Sequence, residues 1–159
     1  MSHVATVDLE VKDLEALQEA CNRLGLQLVR DQQSYDCWYT LTKPEKRAEF
    51  LRVTEQSEND LVPAGFAVSD LGKCEHAIRL PQSPDGYEIG LARRRDGRPG
   101  YVLLWDPYSD FLKCAIGENA SKLRVEYATA VAKRTALASG YQVTEQRRTD
   151  GSVGLRFTR

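Results

Sequence analysis

Residues 87–105 constrain the fold more than any other stretch, because they contain two strands and the turn that joins them. Apolar side chains alternate in residues 87–91, which places them on one face of a strand. Asp96-Gly97 is a strong turn signal for a β-hairpin. Residues 101–105 are almost wholly apolar, which is typical of a strand covered on both faces. The sequence therefore predicts an antiparallel hairpin whose return strand is central in a sheet.

Two amphipathic helices are predicted, one on each side of this hairpin. Asp13 is a suitable N-cap for the first helix, and Gly25 is the C′ residue that ends it. The second helix covers residues 121–139 and ends at Gly140. Further strands are predicted at residues 3–11, 26–29, 75–80, 141–145 and 153–157, the last two joined by a turn at residues 149–152.

The middle of the chain is less regular and is interpreted as an excursion from the main sheet. Residues 35–41 are rich in aromatic side chains and are predicted to form a strand. Residues 42–45 (Thr-Lys-Pro-Glu) have the spacing of a capping box with proline in the first turn. They predict a charged helix over residues 45–53, within a variable excursion at about residues 42–72.

This succession predicts one α+β domain over residues 1–159. Helices separated by hairpins favour a mostly antiparallel sheet with two main helices packed on one face. A ferredoxin-like arrangement is one topology that fits, and the order of the strands is left open. The excursion is an insertion into this framework.

Composition and charge exclude several classes of protein. The chain has 159 residues, with 22 Lys and Arg against 23 Asp and Glu, and a formal net charge of −1. This balance argues against a protein that coats nucleic acid or an anionic membrane. No apolar run approaches the roughly 20 residues of a membrane helix, and the first residues lack the pattern of a secretory signal. We therefore expect a cytoplasmic protein with reduced cysteines.

Cys74 and His76 are weak catalytic candidates in a chain that lacks nucleotide-binding Gly-rich loops, a GxSxG elbow and HExxH. Two residues apart, they would share one face of a strand and act as a Cys–His pair or a general base. The alternative, which we favour, is a strand histidine satisfied by a neighbouring group. The pair would also supply two metal ligands, but no second close pair completes a site, so we expect no metal and no cofactor.

Arginines cluster on the two predicted hairpins. They are Arg93, Arg94, Arg95 and Arg98 at the first tip, Arg147 and Arg148 on the second hairpin, and Arg156 and Arg159 on the last strand. If these side chains converge, they form a positive groove for phosphates or nucleic acid. Runs of charged residues are more often solvated surface. The near-neutral total charge also disfavours binding of phosphates or nucleic acid.

Trp105, Asp106 and Tyr108 end the central strand and are the predicted rim of a ligand pocket. Aromatic residues at such positions more often belong to the core and to strand pairing. Nothing in their spacing decides between these two roles.

Short motifs at both ends and in the central hairpin carry a family resemblance. They are Met1-Ser2-His3, Asp13-Leu14, Leu24-Gly25, residues 72–79 and 87–90, Tyr127-Ala128, Gly140-Tyr141, Asp150-Gly151-Ser152 and Arg159. Together they resemble a small-protein family of unknown function from cyanobacteria, algal plastids (the conserved plastid open reading frame thirty-five type), bacteria and phages. Residues 34–70 depart from the short plastid type, which has little there. The family offers no established catalytic residue to carry over. The resemblance implies an accessory role beside an AAA+ ATPase.

Three functions follow from these observations, in order of preference. The first is a non-catalytic cytosolic interaction or accessory protein with a protein partner, an adaptor working with an AAA+ ATPase or in a phage–host process. The second is a nucleotide- or nucleic-acid-binding protein that uses the arginine-rich hairpins. The third is an enzyme that uses Cys74 or His76.

Overall fold

The structure is a computed structural model that describes residues 3–159, with the backbone alone for Asp8. Met1 and Ser2, with which the family resemblance begins, lie outside the described residues. The strands in this range are β1 (Ala5–Val11), β2 (Gln27–Val29), β3 (His76–Arg79), β4 (Glu88–Arg93), β5 (Tyr101–Trp105), β6 (Gln142–Arg147) and β7 (Val153–Thr158). The α-helices are α1 (Leu14–Arg23), α2 (Trp38–Leu41), α3 (Pro44–Thr54), α4 (Asp110–Ile116) and α5 (Ser121–Ala138), and 3-10 turns cover Glu58–Leu61, Val68–Asp70 and Glu118–Ala120.

Strands β1 to β5 form one antiparallel sheet in the order β1-β5-β4-β3-β2. The predicted hairpin is the pair β4 and β5, with Leu91 opposite Leu103, and it lies inside the sheet. The α+β class with a mostly antiparallel sheet is thereby confirmed. One strand precedes α1, and four strands lie between α1 and α5. This order differs from the β-α-β-β-α-β succession of ferredoxin-like folds.

The two main helices, α1 and α5, pack on one face of this sheet together with α4. Asp13 caps α1 as predicted, since its carboxylate accepts the Ala16 N–H at 3.0 Å. The hydroxyl of Tyr127 on α5 accepts the N–H groups of Lys12 and Asp13 at 2.9 and 3.2 Å, which ties α5 to the start of α1. The fully buried core between the layers includes Val11, Leu17, Ile78, Ile89, Leu91, Leu103, Leu112, Ile116 and Leu123.

The aromatic stretch at residues 35–41 and the excursion cover the opposite face of the sheet. The buried apolar cluster on this face consists of Val4, Tyr35, Cys37, Cys74, Ala77, Ala92 and Leu104, and Phe66 and Leu71 of the excursion pack against it. The Tyr35 ring rests directly on the backbone of β4, because a Cβ on Gly90 would lie only 2.3 Å from the ring's Cδ1. Glycine at this position therefore allows Tyr35 to pack on the sheet, and the central strand β4 is buried on both faces.

The aromatic stretch at residues 35–41 is not the predicted strand. Its second half is the helical turn α2, whose Trp38 ring packs against Phe50 of α3 with ring centroids 4.8 Å apart. The aromatic side chains therefore fill space between the excursion and the sheet. Among the described residues, one isolated bridge, between Ser34 and Lys73, lies just before this stretch.

Helix α3 confirms the predicted charged helix, but its start differs from the capping box expected at Thr42. The N-cap is Lys43, which forms no side-chain capping hydrogen bond, and Pro44 occupies the first turn. The sequence analysis also missed α4, which Ser109 caps by accepting the Leu112 N–H at 3.2 Å.

The substitution Gly90→Ala tests the contact between Tyr35 and β4. We expect it to lower the free energy of unfolding by about 2–3 kcal/mol, because the new Cβ overlaps a buried ring that has no room to move. Urea unfolding measures the loss. Gly154→Ala in β7 is the matched control: its nearest neighbour is the flexible end of Arg148 at 3.4 Å, so a change within about 0.5 kcal/mol is expected. Equal losses in the two variants would contradict the close contact.

Candidate functional site

Cys74 and His76 lie on opposite faces of the sheet, not on the shared face that their spacing predicts. The N–H of Glu75 donates to the carbonyl of Leu91 at 2.8 Å, while His76 is itself registered opposite Leu91. Glu75 and His76 thus both lie opposite Leu91, as in a β-bulge. The alternation of side chains between the two faces of the sheet is therefore reversed just before β3. Cys74 packs in the cluster beneath the excursion, whereas His76 contacts Tyr101 of the helix-side core.

Both ring nitrogens of His76 are engaged by neighbours. Nδ1 accepts the backbone N–H of Asp31 at 2.9 Å. The neutral ring therefore carries its proton on Nε2, which lies 3.2 Å from the Tyr101 hydroxyl and donates to it. The ring is buried, so no face of it is open to a substrate. This arrangement is that of a histidine satisfied by neighbouring groups.

The Cys74 thiol is buried and protonated. Its S–H donates to the carbonyl of Gln32 at 3.1 Å. Burial, together with the nearby charge of Glu88, raises the pKa of Cys74 to about 12. Burial also raises the pKa of Cys21 to about 12. The reactive form of cysteine is the thiolate, so neither environment activates a nucleophile.

Thiol reactivity provides a direct measurement of this arrangement. In the native protein we expect one cysteine to react rapidly with an aromatic disulfide reagent, namely Cys114, which is exposed. The other three are buried and are expected to react only when urea unfolds the chain. In Cys114→Ser the fast phase should disappear. A fast phase that persists in this variant and is lost on adding Cys74→Ser would identify an activated Cys74.

The arginines of the β4–β5 hairpin are paired with carboxylates. The pairs are Arg93 with Glu75 at 2.9 Å, Arg94 with Glu10 at 3.2 Å and with Asp96, Arg95 with Asp70 at 3.2 Å, and Arg98 with Asp96 at 2.8 Å. Arg93 and Arg95 also stack on the rings of Tyr101 and Phe66. The hairpin tip is therefore a neutralised surface, and a phosphate would have to displace these carboxylates to bind there.

Arg147 belongs to an ion-pair network that joins the second hairpin to the helices. The network pairs the carboxylates of Glu19, Glu126 and Glu145 with the cations of Arg23, Lys133 and Arg147. Arg147 holds the buried Glu126 through two hydrogen bonds of 2.6 and 2.9 Å. Two-point guanidinium–carboxylate contacts are strong and geometrically specific, so the hairpin is fixed against α1 and α5.

Glu145 makes this network sensitive to acid. Burial by itself raises the pKa of its carboxyl, but the hydrogen bond from Lys133 and the charges of Arg23 and Arg147 lower that pKa overall. A carboxyl whose pKa is lower in the folded chain stabilises the fold above its unfolded pKa, and this stabilisation is lost as pH falls through the folded value.

We therefore expect Glu145→Gln to reduce the loss of free energy of unfolding that occurs as the pH falls. Wild type should exceed the variant in free energy of unfolding by about 1–2 kcal/mol at neutral pH, and the gap should close as pH falls below 4.5, the ordinary pKa of glutamate. Urea unfolding at a series of pH values measures the gap. Glu49→Gln on the exposed side of α3 is the control, and a gap that stays constant with pH would contradict the role of Glu145.

The two faces of the β6–β7 hairpin differ in character. The inner face carries Glu145 and Arg147, which pair with α5. The outer face is formed by the cross-strand pairs Gln142 with Thr158, Thr144 with Arg156 and Gln146 with Gly154. Arg148 also lies over this face, since its Nη2 is 3.4 Å from where a Cβ of Gly154 would be. Within residues 3–159, no ion pair joins Arg148 or Arg156 to a carboxylate.

The predicted pocket rim does not surround one pocket. Trp105 is buried and lines a cleft of about 480 Å³ beside β1 and the start of α5. Asp106 is buried elsewhere, where its carboxylate accepts the N–H groups of Trp38 and Tyr108 at 3.3 and 3.0 Å. The space beside Asp106 is only about 10 Å³. Tyr108 is exposed.

A different groove, missed by the sequence analysis, lies between the end of α5 and the second hairpin. It measures about 530 Å³ and is lined by Ala132, Thr135, Ala136, Ser139, Tyr141 and Phe157; we call it the α5–hairpin groove. Phe157 is 45% exposed, and Leu137, on the last turn of α5, is 58% exposed. The alternation of Val143, Leu155 and Phe157 on one face of the strand pair was the available signal.

No group of three or more His, Cys, Asp or Glu side chains suited to hold a metal ion occurs among the side chains that the structure describes. None of the helices in residues 3–159 combines the length and apolar character needed to cross a membrane.

Compared with protein-family models, with curated proteins and with solved structures, the chain has no significant match in any of the three. The resemblance to the cyanobacterial, plastid and phage family therefore stays a prediction, and the function has to be argued from the geometry.

Proposed function

We propose that this chain is a non-catalytic interaction protein that binds a protein partner through the α5–hairpin groove. The observation that carries the proposal is Phe157, an aromatic side chain left 45% exposed beside a floor of small residues. Aromatic residues are enriched at protein interfaces, and a groove with small side chains lets a partner approach closely.

The environments of Cys74 and His76 support this proposal over a catalytic one. The thiol is buried and protonated, and both ring nitrogens of the histidine are taken by neighbours. The two side chains lie on opposite faces of the sheet, so they do not form the nucleophile–base pair that catalysis of this type requires.

The partner class that we propose is an AAA+ ATPase, as the family resemblance implies. Within that proposal the chain acts as an adaptor, and the groove is the contact that attaches it to the machine. The alternative is that the same groove binds a partner protein in a phage–host process.

The test compares Phe157→Ser with Val53→Ser, a change at a 71% exposed position on α3 away from the groove. Tagged forms of each are purified from the native host, and the partner that accompanies wild type is then isolated for titration calorimetry. We expect Phe157→Ser to weaken binding about tenfold or more, as for an interface hot spot, and Val53→Ser to leave it unchanged.

The identity of the partner tests the proposal that the chain is an adaptor for an AAA+ ATPase. An AAA+ ATPase supports the adaptor role, and another protein with the same dependence on Phe157 rejects the ATPase but keeps the interaction site. Equal binding by Phe157→Ser and wild type would contradict the groove as the site.

A further inference from the structure

The outer face of the β6–β7 hairpin is an entirely polar surface. The exposed side chains on it are Gln142, Thr144, Gln146, Arg148, Arg156 and Thr158. Among the described residues, the strand side chains that point to this face include no apolar group and no carboxylate, because Glu145 points to the network on the inner face and the Asp150 carboxylate in the turn is bound by Ser152. Such a face does not suit an apolar protein partner, which gains its affinity from buried apolar and aromatic anchors.

Its two arginines differ from Arg147 and from the arginines of the β4–β5 tip, whereas Arg159 stacks on the Tyr141 ring. Those at the β4–β5 tip and Arg147 are all neutralised by carboxylates. Arg148 makes only a 3.4 Å contact with the hydroxyl of Ser152, and no ion pair joins Arg156 to a carboxylate in the described part of the chain. Within a chain of net charge −1, Arg148 and Arg156 thus place two guanidinium groups without a carboxylate partner among the described residues on one face of the hairpin, where both line the same shallow concavity.

The shape of this face matches a nucleic-acid groove. Each strand has six residues, which corresponds to a ribbon about 20 Å long with strands about 4.8 Å apart. The major groove of B-form DNA is about 12 Å wide and admits a two-stranded ribbon. We propose that the outer face of the hairpin binds duplex DNA in the major groove.

Each type of side chain on the face has a role in this complex. Arg148 and Arg156 contact backbone phosphates, which supply affinity. Thr144 and Gln146 face the base edges, where amide and hydroxyl groups donate and accept hydrogen bonds. The inner face stays on α5, held by the Arg147–Glu126 contact, so the ribbon enters the groove as a rigid unit.

The experiment measures fluorescence anisotropy of a labelled random-sequence duplex of about 20 base pairs, titrated with the full chain at low salt. The double variant Arg148→Gln/Arg156→Gln is compared with Arg95→Gln/Arg98→Gln, which removes the same charge from the other hairpin tip. We expect the first variant to bind about tenfold more weakly or worse and the second to bind within about twofold of wild type.

The salt dependence gives a second readout. With two phosphates neutralised, the slope of log affinity against log salt should be about −1.8 for wild type and near zero for Arg148→Gln/Arg156→Gln. Because these arginines form no ion pair within the described residues, the variant should unfold at the same urea concentration as wild type. Thr144→Glu, which places a carboxylate on the face, should also weaken binding.

Four outcomes would overturn the proposal. They are absence of binding by wild type, equal weakening by the two double variants, equal binding of double-stranded RNA, whose deep major groove excludes a ribbon, and tighter binding of single-stranded DNA. Phe157→Ser should retain DNA binding, so failure here is distinguishable from failure of the groove.

Discussion

The contact between Tyr35 and Gly90 is the constraint on which the arrangement of the sheet depends. The phenol ring occupies the space that a Cβ at residue 90 would need, and it fixes the stretch that leads into the excursion on the face that α1 and α5 leave open. The Tyr35 hydroxyl is buried and finds no hydrogen-bond partner within residues 3–159, which costs about 1–3 kcal/mol. Burial of an aromatic side chain of this size contributes about 1.5–3 kcal/mol, which is comparable with that loss.

Sealing the second face has a chemical consequence. Cys37 and Cys74 lie in the same cluster as Tyr35, and burial raises the pKa of each thiol. Of the two catalytic candidates, Cys74 is therefore part of the buried cluster that covers this face, while His76 lies on the other face against Tyr101. The second hairpin, by contrast, is largely exposed, and both proposed binding surfaces adjoin it.

Local signals predicted the framework well, and partners distant in sequence account for what they missed. The cap at Asp13, the turn at Asp96-Gly97 and the helix end at Gly140 depend on neighbouring residues, and the structure contains all three. The stretch at residues 35–41 was misassigned because aromatic content favours strands, whereas here the rings pack on Gly90 and Phe50.

The candidate site shows the same limit. Counting arginines cannot reveal that Arg94 meets Glu10 from the far end of the chain while Arg156 meets no carboxylate within the described residues. Cys74 and His76 were expected on one face because residues two apart share a face in a regular strand. The bulge before β3 breaks this alternation, and the sequence pattern does not predict it.

Strand alternation explains how one small hairpin offers two surfaces of opposite chemistry. Arg156 and Phe157 are adjacent in sequence, and their side chains point to opposite faces of β7. The aromatic ring faces the groove beside α5, and the guanidinium faces away from it. A partner in the groove and a polyanion on the outer face would therefore not compete for the same side chains. The Glu126–Arg147 contact holds both surfaces in place, so loosening it would weaken both kinds of binding, whereas a change on either face would weaken only one.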